Sequence, residues 1–294
     1  MDSLAKTIMI ESVGIIGLGM IGGSIAYALR EQQVCQTIVG IDANPEALAW
    51  ALNANLIDQG WQQISDCPQT PQVVILCVPV AAMREVFGQC ANWFEQGVVI
   101  SDVGSSKQSV IADLQSITST MPSNFVPAHP IAGREQSGVQ AAQAGLFAGR
   151  KVIITPTQQT SGESLMQITE LWQQIGAEVE YMNADSHDQI LAATSHLPHA
   201  LAFALVDCLA KQTHTPEIFR YAAGGFADFT RIASSDPALW RDICLANQPA
   251  LIDAIERFEA TLKKLRVSLQ DQDSEALLSM FQEAKHTRDK FNQS

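Results

Sequence analysis

The sequence predicts a doubly wound α/β domain of mostly parallel strands followed by an all-α domain, and three features carry that prediction. Apolar runs of strand length alternate with helical patterns as far as Tyr181. The first apolar run leads directly into clustered glycines and an Ala/Leu-rich helix. From Asn183 onward the strand signals stop and long helical periodicity replaces them. Strands that alternate with helices form a parallel sheet covered on both faces, whereas helices alone pack against one another.

The glycines stand at 17, 19 and 22, the spacing G-x-G-x-x-G. In that spacing the first glycine permits a tight turn, the second lets a pyrophosphate approach the backbone, and the third lets the helix lie close to its strand. The helix start supplies free N–H groups and the positive end of the helix dipole. A second apolar run, 37–41, ends at Asp42, at the distance where such a fold sets a carboxylate on the adenosine ribose hydroxyls. Asp42 would repel a 2′-phosphate, and no Arg or Lys follows it closely, so the expected cofactor is NAD rather than NADP. Leu18, Met20 and Ile21 within the turn and Val78 at the end of a later strand complete the expected cofactor contacts. The glycines alone would also suit a plain strand-to-helix turn; Asp42 in register argues for the nucleotide.

The remaining elements follow in order. A helix is expected over 45–56, a buried strand over 72–79 stopped by Pro79, and a helix over 80–93. Then come a strand over 98–102, a helix from about 106 to 115, strands over 125–128 and 151–155, a helix over 162–175 and a short strand over 179–181. Ligands of parallel sheets bind at the carboxyl ends of the strands, which draws attention to Val78-Pro79, to 102–107 and to His129 onward. The expected division is a Rossmann-type dinucleotide-binding domain over 1–183 and a helical substrate and dimerisation domain over 184–294. In the second half, Ser235-Asp236-Pro237 announces a helix. Pro249 should kink a helix or separate two. Leu251, Ile255, Phe258, Leu262, Leu265 and Leu269 step alternately by four and three, which makes a seam for internal core or for a second copy of the chain, and a homodimer is the expected outcome.

Composition narrows the function. The chain has 294 residues, 47% hydrophobic and 17% charged, with a formal net charge of −13. That balance argues against nucleic acid or an anionic membrane as partner. Six scattered cysteines without C-x-x-C spacing read as reduced residues of a cytoplasmic protein. The uncharged stretch 13–29 holds five glycines and reads as strand plus helix rather than a membrane span. No secretory leader is expected at the start.

Three segments carry polar residues that a scaffold does not need: 101–107, 129–135, and in the helical half 195–199 with 224–231. Each also has a plain reading. Ser105 and Ser106 could cap the next helix, His129 could be a satisfied turn histidine, and Arg231 could serve a structural ion pair. His196 and His199 have a metal-like spacing but no acidic partner nearby in sequence, so no metal is expected.

Together these segments support more. Gly-Ser-Ser-Lys at 104–107, His-Pro-Ile-Ala-Gly at 129–133, Ser-His-Leu-Pro-His at 195–199, Gly-Gly-Phe-Ala-Asp-Phe-Thr-Arg at 224–231 and Ser-Asp-Pro-Ala-Leu-Trp at 235–240 closely resemble the prephenate/arogenate (cyclohexadienyl) dehydrogenases of tyrosine biosynthesis. The resemblance covers nearly the whole chain, in order. It implies NAD-dependent oxidative decarboxylation of prephenate, with arogenate open as a second substrate. It also implies that His129 accepts the substrate hydroxyl proton and that Ser105 orients it. Arg231 would hold a substrate carboxylate, His199 would touch the side chain, Trp240 would wall the pocket, and Glu135 and Asp228 would form a polar pair near its mouth. Arg134 stands where a small polar residue is more usual. No fused mutase or regulatory segment is expected, so tyrosine, if it inhibits, would compete in the active site. Two other readings stay open: a β-hydroxyacid-type dehydrogenase, whose characteristic lysine setting is not found here, and a catalytically silent NAD-binding sensor, which would tolerate loss of His129 and Arg231.

Overall fold

The computed structural model describes residues 10–133, 136–213 and 215–291. The chain forms two compact units, residues 1–248 and 249–294.

The first unit is built on a six-stranded, all-parallel sheet. Its strands are β1 (Ile10–Ile16), β2 (Cys35–Ile41), β3 (Gln59–Trp61), β4 (Val73–Leu76), β5 (Val99–Asp102) and β6 (Phe125–Val126), in the order β3-β2-β1-β4-β5-β6. Successive side chains of a strand point to opposite faces, and the two halves of the core divide accordingly. Val13, Ile15, Ile38, Val73 and Ile75 join one apolar cluster, while Ile16, Val39, Val74, Leu76 and Ile100 join the other. Both faces are buried, which is why these strands read as continuous apolar runs. β1 lies between β2 and β4, so the order reverses there and the carboxyl ends of the strands open a crevice.

The connecting helices are α1 (Met20–Glu31), α2 (Pro45–Asn53), α3 (Met83–Gln89), α4 (Ala91–Glu95), α5 (Gln108–Gln115) and α6 (Gly162–Gln174). The helix expected over 80–93 is interrupted at Cys90, where α3 ends and α4 begins. β3 is an edge strand of three residues, too short to leave a periodic signal.

The later strands do not extend this sheet. β7 (Ala128–Pro130), β8 (Lys151–Ile154) and β9 (Glu178–Tyr181) form a separate three-stranded sheet, with β7 antiparallel to β8 and β8 parallel to β9. The strand expected over 125–128 thus divides at Pro127 between the two sheets. Prolines 127 and 130 lack N–H donors and cannot continue a central parallel ladder. The divided strand delivers His129 opposite Ile153, beside the carboxyl end of β5.

Among the described residues from 184 onward the regular structure is helical: α7 (Ala184–Leu191), a π-helical turn (Ala192–His196), α8 (Leu197–Ala210), α9 (Thr215–Arg220), α10 (Gly224–Thr230) and α11 (Pro237–Ala246). Pro198, in the first turn of α8, has no N–H to donate to the carbonyl four residues back, and the adjoining turn widens to the π register. Asp236 caps α11 by accepting the N–H groups of Ala238 and Leu239 at 2.8 and 3.0 Å, as the Ser-Asp-Pro signal predicts. The run Ala184–Ala210 is long and apolar enough, by length and composition, to cross a membrane. It also carries His187, Asp188 and His196 among the buried polar residues.

The second unit holds α12 (Gln248–Gln270) and α13 (Ser274–Phe291). Pro249 falls in the first turn of α12 and separates it from α11, one of the two outcomes its chemistry allows. Along the α12 seam, Leu262 is 46% and Leu269 58% exposed.

Candidate active site

The crevice at the strand ends is a cleft of about 2100 Å³. One wall is the glycine turn. Gly17 has φ +94°, and a Cβ there would stand 2.6 Å from the carbonyl oxygen of Cys77. A Cβ on Gly22 would stand 2.0 Å from the carbonyl oxygen of Gly17. Both must be glycine for β1, β4 and α1 to meet. Gly19 differs: among the described residues a Cβ there meets nothing within 4 Å. It lines the cleft, and no side chain caps the start of α1. The open side of the turn is therefore free backbone at a helix start, the arrangement that takes a pyrophosphate.

Asp42 ends this wall. Its Oδ2 accepts the N–H of Leu18 at 2.6 Å and its Oδ1 accepts that of Asn44 at 2.8 Å. Those bonds hold the carboxylate at the cleft edge with lone pairs remaining for ribose hydroxyls. Met20, Ile21 and Val78 also line the cleft, whereas the Leu18 side chain is buried and only its backbone takes part. The residues present fit a dinucleotide.

The opposite wall brings together residues from distant parts of the sequence: Ser105, His129, Ser195, His196, His199, Arg231 and Trp240 all line the cleft. His199 stacks on Trp240 with ring centroids 3.5 Å apart and planes 15° apart. Its Nδ1–H donates to the carbonyl of Ser195 at 2.8 Å, and burial holds its pKa below the ordinary value. Arg231 starts the 3₁₀ turn after α10 with an exposed side chain. Asp228, on α10, is exposed and does not line the cleft. Glu135 and Arg134 lie outside the described residues.

His129 is the most buried of the residues that resemblance assigns to this wall. It is 9% exposed, and its Nδ1 lies 2.9 Å from Nε2 of His187. His187 Nδ1 lies 2.7 Å from Asp188 Oδ1. No sequence signal marks this pair, since a His-Asp step in the first turns of a helix is commonplace; its meaning depends on α7 passing behind β7. Ser105, which the resemblance sets beside His129, makes no hydrogen bond to it among the described residues. Burial is the largest influence on the His129 pKa, with His187, Lys107 and His196 adding to it, and together they push it well below 6.5.

A buried ion pair supports His129 from below. Lys107 and Asp102 are both fully buried and in contact, and Lys107 Nζ also donates to the carbonyl of Ala128 at 2.7 Å. Asp102 accepts the N–H of Gly104 at 2.7 Å, where a Cβ would crowd the same carboxylate oxygen at 2.8 Å. Asp188 accepts the N–H groups of Lys107 and Gln108 at 2.8 and 2.9 Å and so caps α5, the role for which Ser105 or Ser106 is suited by sequence. Asn247 completes the layer. Its Nδ2 donates to the carbonyl of Asp188 at 2.8 Å and lies 3.0 Å from His196 Nδ1. The carbonyl fixes that atom as the amide nitrogen, so His196 accepts at Nδ1 and is protonated at Nε2 when neutral. Burial lowers its pKa to about 4. Among the described residues no group of His, Cys, Asp and Glu is arranged to hold a metal.

A parallel sheet with a glycine cradle at its switch point, facing a buried histidine, defines a nucleotide-dependent oxidoreductase. Residues 25–181 match the family described as prephenate dehydrogenase, nucleotide-binding domain, and residues 183–283 match prephenate dehydrogenase, dimerization domain. The chain belongs to the prephenate dehydrogenase family. It is 40% identical over 282 residues to the cyclohexadienyl dehydrogenase of Zymomonas mobilis, covering 95% of both chains. It is 36% identical to the prephenate dehydrogenase of Bacillus subtilis, over 96% of this chain and 76% of that one. The crystal structure of prephenate dehydrogenase from A. aeolicus, in complex with hydroxyphenyl propionate and NAD+, superposes with a TM-score of 0.91 at 39% identity, over 97% of this chain and 100% of that one.

Proposed function

We propose that the protein catalyses the NAD-dependent oxidative decarboxylation of prephenate to 4-hydroxyphenylpyruvate. The observation that carries this reading is His129: its Nδ1 is engaged within the protein, and the ring stands in the wall of the cleft into which the glycine cradle opens.

The turn 17–22, Asp42 at the ribose and Val78 would hold NAD, which would supply the hydride acceptor. The substrate must lose three things: a hydroxyl proton, a hydride from the carbinol carbon and carbon dioxide from the opposite ring position. His129 Nε2 accepts the hydroxyl proton as the carbon–oxygen bond gains carbonyl character. Loss of carbon dioxide sends its bonding electrons into the ring, and the phenolate oxygen takes the proton back from His129. The base therefore ends the cycle neutral. Arg231 offers two parallel N–H donors to a substrate carboxylate. His199 stacked on Trp240 forms a flat wall beside the substrate side chain, and Ser105 lies near the reacting hydroxyl. Asp228 and Glu135 remain assigned to the mouth on resemblance alone.

The assigned division is a dinucleotide-binding domain over 1–183 and a substrate and dimerisation domain over 184–294, supported by family matches that change over between 181 and 183. A homodimer is supported by α8, an apolar helix in which only Ala202 is fully buried, and by exposed Ile190, Phe229, Leu239 and Leu245 in the same half. The six free cysteines suit the cytoplasm. Tyrosine shares the ring hydroxyl and a similar side chain with the product, and is assigned as a competitor for the same cleft.

The test is NADH formation by the purified protein with NAD and prephenate, run beside arogenate, with NADP replacing NAD, and with added tyrosine. Prompt NADH with prephenate is the expected result. Silence with both substrates, in protein that binds NAD, would refute the reading. Sedimentation of the same sample decides the dimer.

A further inference from the structure

The base has an unusual support. Asp188 is nearly buried, yet its carboxylate is met by two backbone N–H groups, by the Ser106 hydroxyl at 3.3 Å and by His187 Nδ1. An ionised carboxylate only accepts hydrogen bonds, so His187 must carry a proton on Nδ1. In the neutral ring that leaves a lone pair on Nε2, and the group facing it at 2.9 Å is Nδ1 of His129. His129 must then donate from Nδ1, which leaves its own Nε2 bare.

We propose that His187, oriented by Asp188, is a positioning residue that locks His129 in the Nδ1–H tautomer and so keeps its Nε2 free to take a proton from substrate. The proposal rests on His129 being the base of the assigned reaction. Neutral histidine in water exchanges between two tautomers, and only one presents a lone pair at Nε2. A base with the other tautomer would meet the substrate hydroxyl with an N–H. Asp188 already has a sufficient structural role in capping α5, and its replacement would confuse folding with function. His187 has no comparable role, because among the described residues its two ring nitrogens reach only His129 and Asp188.

The experiment combines ring nitrogen spectra with kinetics on the full chain with NAD bound. Protein labelled with ¹⁵N-histidine is compared with its His129→Asn variant to assign the His129 ring, and then with His187→Leu and His187→Gln. The expected wild-type spectrum has the proton on Nδ1 of His129. His187→Leu should lose that preference and lower kcat about 30- to 100-fold, with KM for prephenate and Kd for NAD changed less than about threefold. His187→Gln offers a carbonyl oxygen to the same N–H and should recover about tenfold of the loss. A wild-type proton on Nε2 of His129 would overturn the proposal. So would a folded Leu variant with kcat within about twofold of wild type. Should the Leu variant fail to fold, the wild-type spectrum and the Gln variant decide. Absence of NADH formation by wild type would refute the assigned reaction instead, while the ring spectrum would still report on the lock.

Discussion

Asp188 Oδ1 accepts the backbone N–H of Lys107 at 2.8 Å, although 81 positions separate them in the chain. Through this bond the first helix of the second half caps a helix of the first, immediately behind the wall that carries His129. The Lys107 side chain continues inward to Asp102 and to the carbonyl of Ala128, next to His129. His129 therefore sits on a buried polar layer contributed by both halves of the sequence.

That layer makes Lys107 a stability determinant. Burial works against its charge and Asp102 offsets the penalty. Lys107→Met would leave the fully buried Asp102 carboxylate without its counter-charge, at an expected cost of about 3–5 kcal/mol in denaturant unfolding. Adding Asp102→Asn removes the stranded charge and keeps an oxygen for the Gly104 N–H, so the double variant should recover more than half the loss. A Lys107→Met cost below about 1 kcal/mol would mean the pair contributes little.

His129→Asn removes the proposed proton acceptor and leaves the rest of the cleft wall in place. Turnover with prephenate should fall by about two orders of magnitude or more, with KM little altered. Steady-state NADH formation measures both; near-normal turnover would remove His129 as the base.

The pH dependence has a defined sign. In the proposed reaction the neutral His129 ring is the working form, and its pKa lies well below 6.5 because the site is buried and surrounded by His187, Lys107 and His196. Protonation sets in only as pH falls through that lowered value, so kcat/KM should hold through 6.5 and decline on the acid side of it. A profile from pH 8 to 5 checks this, and half-loss at or above 6.5 contradicts it.

Much of this is legible in the sequence, for identifiable reasons. Strands buried on both faces need continuous apolar residues, so β1, β2, β4 and β5 stand out. Gly17, Gly19, Gly22 and Asp42 form a local pattern, and Asp236 with Pro237 announces its own helix. His129, His199, Arg231 and Trp240 are reached by motif, and all four line one cleft. What escapes depends on tertiary contact. Nothing local says that Pro127 divides a strand between two sheets, or that Asp188 rather than a nearby serine caps α5. His187 is invisible as a partner of His129 until the helix crosses behind the strand.

Asp42 serves both the turn and the proposed ribose contact, and two substitutions separate the roles. Asp42→Asn keeps an acceptor for a backbone N–H but removes the charge that would repel a 2′-phosphate. The NAD to NADP ratio of kcat/KM should fall about tenfold with modest loss for NAD. Asp42→Ala also releases the Leu18 and Asn44 N–H groups and should raise KM for both cofactors. An unaltered ratio in Asp42→Asn would mean the carboxylate does not read the ribose.

The glycines of the cradle make opposite predictions for the same added methyl. At Gly22 a Cβ would stand 2.0 Å from the backbone oxygen of Gly17, which cannot move without displacing the turn from β4. Gly22→Ala should therefore cost about 2 kcal/mol or more of stability before any effect on binding is considered. At Gly19 the backbone has φ −73°, which alanine accepts, and a Cβ would touch nothing within 4 Å among the described residues. Gly19→Ala should leave stability within about 0.5 kcal/mol of wild type. Its methyl would project into the space a pyrophosphate needs, so Kd for NAD should rise about tenfold. Denaturant unfolding paired with NAD titration reads both effects. Unchanged NAD affinity in Gly19→Ala would show that the phosphates do not approach this turn.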